Sequence, residues 1–257
     1  MDRLYRVELD GQHVHAVERD GMWCELIGDP YGSYQLGDVF ERSNLRILPP
    51  VVPSKIVAVG LNYRDHAKEM GKTIPREPLI FLKPSTAVIG PDDSIVIPAG
   101  AGRVDHEAEL GIVIGRTARH VKAEQALDYV LGLTCVNDVT DRDLQARDVQ
   151  YTRGKGFDTF APIGPGIAVG FDGDDLAVES SVNGERRQGS NTRELIFSLS
   201  YLVEFISRVM TLLPGDIIST GTPSGVGPLV PGDRVVVAVE GVGELANNVV
   251  ADERVQP

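Results

Sequence analysis

At 257 residues with 42% hydrophobic content, the chain is long enough for a full core, either as one large domain or as a main domain with a small appendage. A formal net charge of -12 disfavours nucleic acid and anionic membranes as partners, which need clustered Lys and Arg, and no run of 18 or more apolar residues is present to span a bilayer. The N-terminus, Met1-Asp2-Arg3-Leu4-Tyr5-Arg6, lacks the apolar stretch of a secretory signal, so the cytoplasm is the expected location; Cys24 and Cys135 have no C-x-x-C spacing and indicate neither a disulfide framework nor a zinc site.

Residues 1–52 read as a small β domain. Residues 4–9 alternate, Asp10-Gly11 is a hairpin turn, residues 13–18 alternate again, and Asp20-Gly21 turns once more. His13 and His15 share a face of the second strand without a third ligand and are expected to be solvent-facing. Leu48-Pro49-Pro50-Val51-Val52-Pro53 breaks regular structure and leads into a main domain over 53–257.

Residues 55–60 form a short buried strand. Asn62 after it is placed to cap a helix over 63–70 that stops at Gly71. His66 and Glu69, three apart, share a face of that helix, as a general base oriented by an acid partner would, or as an ordinary surface pair. So short and polar a helix, followed by residues 71–78, suits a mobile lid. A strand over 79–82 runs into Lys83-Pro84.

Residues 105–115, DHEAELGIVIG, read as one strand in which Ala108, Leu110, Ile112 and Ile114 form an apolar face. Glu107 and Glu109 project together from the other face, roughly 6.6 Å apart at ~3.3 Å per residue. Like charges this close repel unless a cation intervenes or one stays protonated. A helix near 123–130 and an apolar strand over 132–137 follow, the latter ending at Asp138. Glu107, Glu109 and Asp138 would make an all-oxygen site suited to Mg²⁺, Mn²⁺ or Ca²⁺ over zinc.

Further on lie the stretch 142–145, a lysine flanked by glycines at Gly154-Lys155-Gly156, and a hairpin over 178–187 turning at Asn183-Gly184. Ser198 caps a helix whose Leu199, Leu202, Val203, Ile206, Val209 and Met210 follow the core-facing pattern. The stretch 214–227 is a strand entering a glycine-rich loop, without the G-K-[ST] of a phosphate loop or a following helix. Strands over 234–240 and 244–250 close the chain.

Five motifs stand in order: NYRDHAKE (62–69), HEAELG (106–111), NDVTDRDLQ (137–145), GKGFDTF (154–160) and TGTPSGVG (220–227). Together they make residues 55–253 resemble the catalytic domain of the fumarylacetoacetate hydrolase family. The resemblance implies a mainly β fold with a few helices (α+β), a rolled mixed β-sheet, a homodimer and a divalent metal at the mouth. By position, Glu107, Glu109 and Asp138 match the metal carboxylates, His66 and Glu69 the catalytic pair, Lys155 the active-site lysine, and Gln145 and Thr222 substrate contacts. The chain departs from the pattern at Gly156, where serine is common, and at Asp141, where alanine is. The implied chemistry acts on 2-oxo acids through a metal-stabilised enolate: C–C hydrolysis of acylpyruvates, 2,4-dioxo acids such as fumarylpyruvate, ahead of oxaloacetate decarboxylation or isomerisation of 2-hydroxyhepta-2,4-diene-1,7-dioate. A non-catalytic metal-binding protein is the reading from another class.

Overall fold

The computed structural model describes residues 2–252. Strand is the commonest regular structure, and the alternating segments pair into two main sheets, as expected for a mainly β, α+β chain. The larger runs, in spatial order, Tyr34–Phe40, Met22–Gly28, Gln12–Arg19, Arg3–Leu9, Ala161–Ala168, Val130–Asn137, Ala108–Ile114, Ile217–Ser219, Ile56–Gly60 and Leu79–Lys83. Along this order neighbours are antiparallel except that Ile217–Ser219 lies parallel to Ile56–Gly60, and Val88–Ile89 adds a second parallel pairing, to Ala161–Ala168, off this order. The smaller sheet orders Glu185–Asn191, Ala177–Val182, Arg234–Val239, Gly243–Ala251 and Ser94–Ile97, the last pair parallel.

The N-terminal strands turn where Asp-Gly pairs predict. Asp10 and Gly11, then Asp20 and Gly21, all have positive φ, the geometry of tight hairpins. They bury a small core of their own around Tyr5, Val7, Ala16, Leu45 and Ile47. The first strand also pairs with Ala161–Ala168, so these strands extend the main sheet.

The Ala108–Ile114 strand is buried on both faces. Leu110, Ile112 and Ile114 pack with Val237, Val239 and Leu245 of the second sheet, while Val113 joins Val136, Ile163 and Ile217 on the opposite side. Helix α4 (Leu199–Val209) covers the first of these cores with Leu199, Leu202, Val203 and Ile206, and Ser198 caps it by accepting from Tyr201 N. The remaining helices are short: α1 (Arg64–Glu69), α2 (Arg142–Asp148) and α3 (Thr152–Lys155). The segment Ala123–Tyr129 is a 3₁₀ helix. No helix among the described residues is long and apolar enough to cross a membrane.

Two local expectations change. The DHEAELG stretch is two strands, Val104–His106 and Ala108–Ile114, because the Glu107 N–H turns to the Asn137 side chain (3.0 Å). Asn62 does not cap α1. Its amide instead donates to Phe197 O (3.2 Å) and Thr220 O (2.7 Å) and accepts from Phe197 N (2.8 Å), tying three distant segments together. Tyr63 is the residue before the first helical turn, and its ring is fully buried.

Candidate metal and catalytic site

Glu107, at the break between the two strands, Glu109, one residue into the second, and Asp138, just past Val130–Asn137, meet because those strands are neighbours. Ala108 is paired with Asn137, and Asp138 N donates to Glu107 O (3.0 Å). The three carboxylates have oxygens all within 4.8 Å of one another, and they are only 5%, 1% and 1% exposed.

What compensates these charges differs from one to the next. Glu107 is gripped by Lys155 Nζ (2.9 Å) and Arg142 Nη2 (2.6 Å). Burial raises its pKa, but the two cations outweigh burial and hold it well below the usual carboxylate range. Asp138 lies 2.5 Å from both Lys155 Nζ and Lys83 Nζ. Among the described residues Glu109 accepts only from neutral donors, the Ser219 hydroxyl (2.5 Å) and the Gly221 N–H (2.9 Å). Burial, then the charges of Asp138 and Glu107, push its pKa up to about 8.

This pattern fits a divalent cation. The donors are hard oxygens, they converge, and one buried carboxylate has no cationic partner in direct contact among the described residues. Glu107, Glu109 and Asp138 are the residues that would hold it.

Lys155 is almost fully buried at the end of α3, with its ammonium 5.0 Å from the centre of the Phe81 ring. Its three protons meet Glu107, Asp138 and Thr140 Oγ1 (2.8 Å). The carboxylates Asp138 and Glu107 raise its pKa against the opposing effect of burial. Lys83, at the end of Leu79–Lys83, is a site residue that the sequence reading passes over. It is completely buried, which lowers its pKa, and it donates to Asp138 and to Val139 O (3.1 Å). A lysine closing an apolar strand carries no signal that separates it from a surface lysine.

His66 lies on α1 with its Nδ1 2.9 Å from Glu69 Oε2, and Glu69 Oε1 accepts from Gly225 N (3.0 Å). His66 is buried and faces the same cavity as Glu107, Glu109 and Lys155. This cavity of about 400 Å³ is also lined by Arg142, Gln145 and Thr222. Gln145 accepts from Arg142 Nη1 (3.0 Å). Thr222 donates to Ala108 O (2.9 Å) and accepts from Gln188 Nε2 (2.8 Å). All eight candidate site residues therefore converge, Glu69 through its contact with His66.

Gln188, on the second hairpin, is another residue missed from sequence. Its carbonyl accepts from Ala108 N (2.9 Å) and Ser180 Oγ (3.0 Å), while its amide donates to Thr222 Oγ1 and Pro223 O (2.8 Å), so one buried side chain joins the carboxylate strand to the glycine-rich loop. The two departures from the family pattern have local explanations. Asp141 caps α2 by accepting from Leu144 N (2.9 Å) and also accepts from Gly102 N (3.1 Å). A Cβ on Gly156 would lie 2.4 Å from Thr152 O, so a larger residue there requires the end of α3 to shift.

A mixed sheet thus carries three converging carboxylates that could hold a metal ion beside a histidine–glutamate pair. Residues 55–250 match the family model described as fumarylacetoacetate (FAA) hydrolase C-terminal, and the chain belongs to the fumarylacetoacetate hydrolase family. The fold superposes on a 5-carboxymethyl-2-hydroxymuconate delta-isomerase from Mycobacterium smegmatis with a TM-score of 0.92 and 44% identity, covering 97% of this chain and 100% of that one. The oxaloacetate tautomerase Fahd2a, mitochondrial, of Rattus norvegicus is 42% identical over 221 residues, 81% of this chain and 71% of that protein. A maleylpyruvate hydrolase from Sphingobium sp. SYK-6, solved with manganese(II) and pyruvate, has a TM-score of 0.81 and 32% identity over 97% of this chain and 99% of that one.

Proposed function

We propose that this chain is a divalent-metal-dependent enzyme of 2-oxo acids that cleaves acylpyruvates, 2,4-dioxo acids such as fumarylpyruvate, by C–C hydrolysis. The observation that carries the reading is the His66–Glu69 pair facing the same cavity as the three carboxylates. Support comes also from the similar maleylpyruvate hydrolase with its manganese and pyruvate.

A Mg²⁺ or Mn²⁺ ion held by Glu107, Glu109 and Asp138 would supply Lewis acidity to a bound 2-oxo acid. With Glu69 Oε2 accepting from Nδ1, His66 keeps the lone pair of Nε2 for a proton. His66 takes that proton from a water molecule as it attacks the distal carbonyl carbon. The C–C bond then breaks, its electron pair passing to C3 of the departing pyruvate, which accepts there the proton His66 took from water, while the water's hydroxyl stays on the acyl carbon as the second carboxylic acid. Lys155 gives up one of its three protein acceptors to meet the oxyanion on the attacked carbonyl. Gln145 and Thr222 line the same cavity and contact the substrate.

A second reading, proton transfer without bond cleavage, draws on the higher identity to the delta-isomerase and the tautomerase, 44% and 42% against 32% for the hydrolase. The deciding experiment offers the Mn²⁺-loaded protein fumarylpyruvate, 2-hydroxyhepta-2,4-diene-1,7-dioate and the enol of oxaloacetate, with EDTA controls. Metal-dependent release of pyruvate from fumarylpyruvate is expected. Isomerisation or ketonisation with no pyruvate released transfers the assignment to the second reading.

A further inference from the structure

The cavity has two unlike ends. Glu107, Glu109 and Lys155 line the inner one and are buried, whereas Met70, Lys72 and Leu79 line the outer one and are exposed. Of the lysines and arginines that line it, Lys155 is committed to Glu107 and Asp138, and Arg142 to Asp105 and Glu107. Lys72 also lines it and forms no ion pair with a carboxylate among the described residues. Its backbone is nonetheless fixed. Gly71 adopts φ +60 and its N–H reaches Lys68 O (3.1 Å), while Lys72 N reaches Ala67 O (3.0 Å), the paired bonds that close a helix with a left-handed residue. The turn that ends α1 thus delivers an uncommitted ammonium to the mouth of the site, on the same rigid unit as His66.

The geometry points to Lys72 as the specificity-determining residue that receives the distal carboxylate of a dicarboxylic 2-oxo acid such as fumarylpyruvate. This rests on the reading of the inner end as the seat of a 2-oxo acid head. With the head there, the remainder of the molecule runs outward past Pro75, Leu79 and Tyr151, a largely apolar wall suited to the carbons between two carboxylates. A terminal carboxylate then meets Lys72. Because Lys72 and His66 share α1 and its closing turn, the anion that holds one also holds the other over the inner site.

The test is calorimetric titration of the Mn²⁺-loaded protein with 2-oxoadipate and with 2-oxohexanoate, which has the same chain length but a methyl terminus. Wild type should bind the dicarboxylate about five- to tenfold more tightly, as suits an ion pair at a half-open mouth. Lys72→Gln should erase that preference while leaving 2-oxohexanoate unchanged, and Lys72→Arg should retain it. Equal affinities in wild type, or a Lys72→Gln protein weakened alike for both acids, overturn the assignment. If the preference holds but fumarylpyruvate releases no pyruvate, the hydrolytic reading falls and Lys72 keeps its role. If neither acid binds the loaded protein, both readings fall.

Discussion

The carboxylate cup and helix α1 face each other across one cavity but are held in place by opposite means. Glu107 and Glu109 come from buried strand backbone and Asp138 from the end of another strand, and their oxygens are met by charged or short hydrogen-bond donors. Helix α1 has six residues, only two of them buried, and no side chain caps its start. Its hold on the cup side passes through Glu69, whose side chain is 41% exposed, to the Gly225 N–H. The carboxylate half of the site is therefore held in the sheet, while the His66–Glu69 half rides on a short helix. Such a division suits closure over a substrate, since a base that arrives with a lid completes the site only when the cavity is filled.

The largest expected effect comes from breaking the carboxylate half. Glu109→Gln or Asp138→Asn should lower Mn²⁺ affinity by at least about 10²-fold, more than the loss usually caused by removing a supporting group around a metal, and should remove every metal-dependent activity together. Metal titration alongside far-ultraviolet circular dichroism checks this, and unaltered Mn²⁺ affinity in both variants would be fatal to the cup.

Next is the half carried by α1. His66→Ala should cost acylpyruvate cleavage on the order of 10² to 10⁴ in rate with metal retained, because hydrolysis needs a base to activate water. Loss of CO₂ from oxaloacetate needs no attacking water and should fall less. Both rates are to be measured on one preparation at saturating Mg²⁺. Equal losses would mean that His66 serves closure or a proton step common to both reactions.

The cup can also be read through stability. At ~100-fold excess over its dissociation constant, metal should stabilise the fold by about 2.7 kcal/mol, visible as a rise in melting temperature that EDTA reverses. In EDTA, Glu109 has a folded pKa of about 8 against an ordinary 4.5, so the folded state holds the extra proton. Its stabilising contribution is complete below pH 4.5 and is lost as pH rises through 8. Glu109→Gln should flatten that decline. An EDTA-treated wild type and variant with parallel stability–pH curves between these values would remove Glu109 as its source.

The smallest effect sharpens the lid. Gly71 has φ +60 with open space where a Cβ would sit, so Gly71→Ala should cost about 1 kcal/mol from backbone conformation alone. It should also speed proteolysis between residues 63 and 78, and oxalate with Mn²⁺ should slow cleavage in wild type. Cleavage rates indifferent to both substitution and ligand would argue that α1 does not open.

The same contrast explains what could be read from sequence. Glu107 and Glu109 were legible because strand alternation places both on one side against an apolar set, and Asp138 because it ends the next apolar strand of a recognisable motif series. The hairpins were legible from Asp-Gly and Asn-Gly pairs whose positive φ is a local matter. Lys83 and Gln188 were not, since what makes them site residues lies 55 residues away at Asp138 and 80 residues away at Ala108. Asn62 was misassigned for a related reason: helix capping is a local rule, and its amide was instead drawn to backbone 135 and 158 residues further on. Local patterns predict elements; burial and long-range pairing decide which polar side chains become part of a site.

The Ile217–Ser219 strand completes the cup from far along the chain, with Ser219 and Gly221 reaching Glu109 across separations of 110 and 112 residues. During synthesis, Asp138 precedes Ser219 by 81 positions (219 − 138), which at ~5–20 residues per second is an interval of roughly 4 to 16 s. Throughout that interval the three carboxylates lack the donors that fix Glu109, and the parallel pairing with Ile56–Gly60 that seats the strand is itself a long-range closure, slow to form. A cation that needs the fixed Glu109 would therefore be bound only after Ser219 and Gly221 have been made and seated beside it.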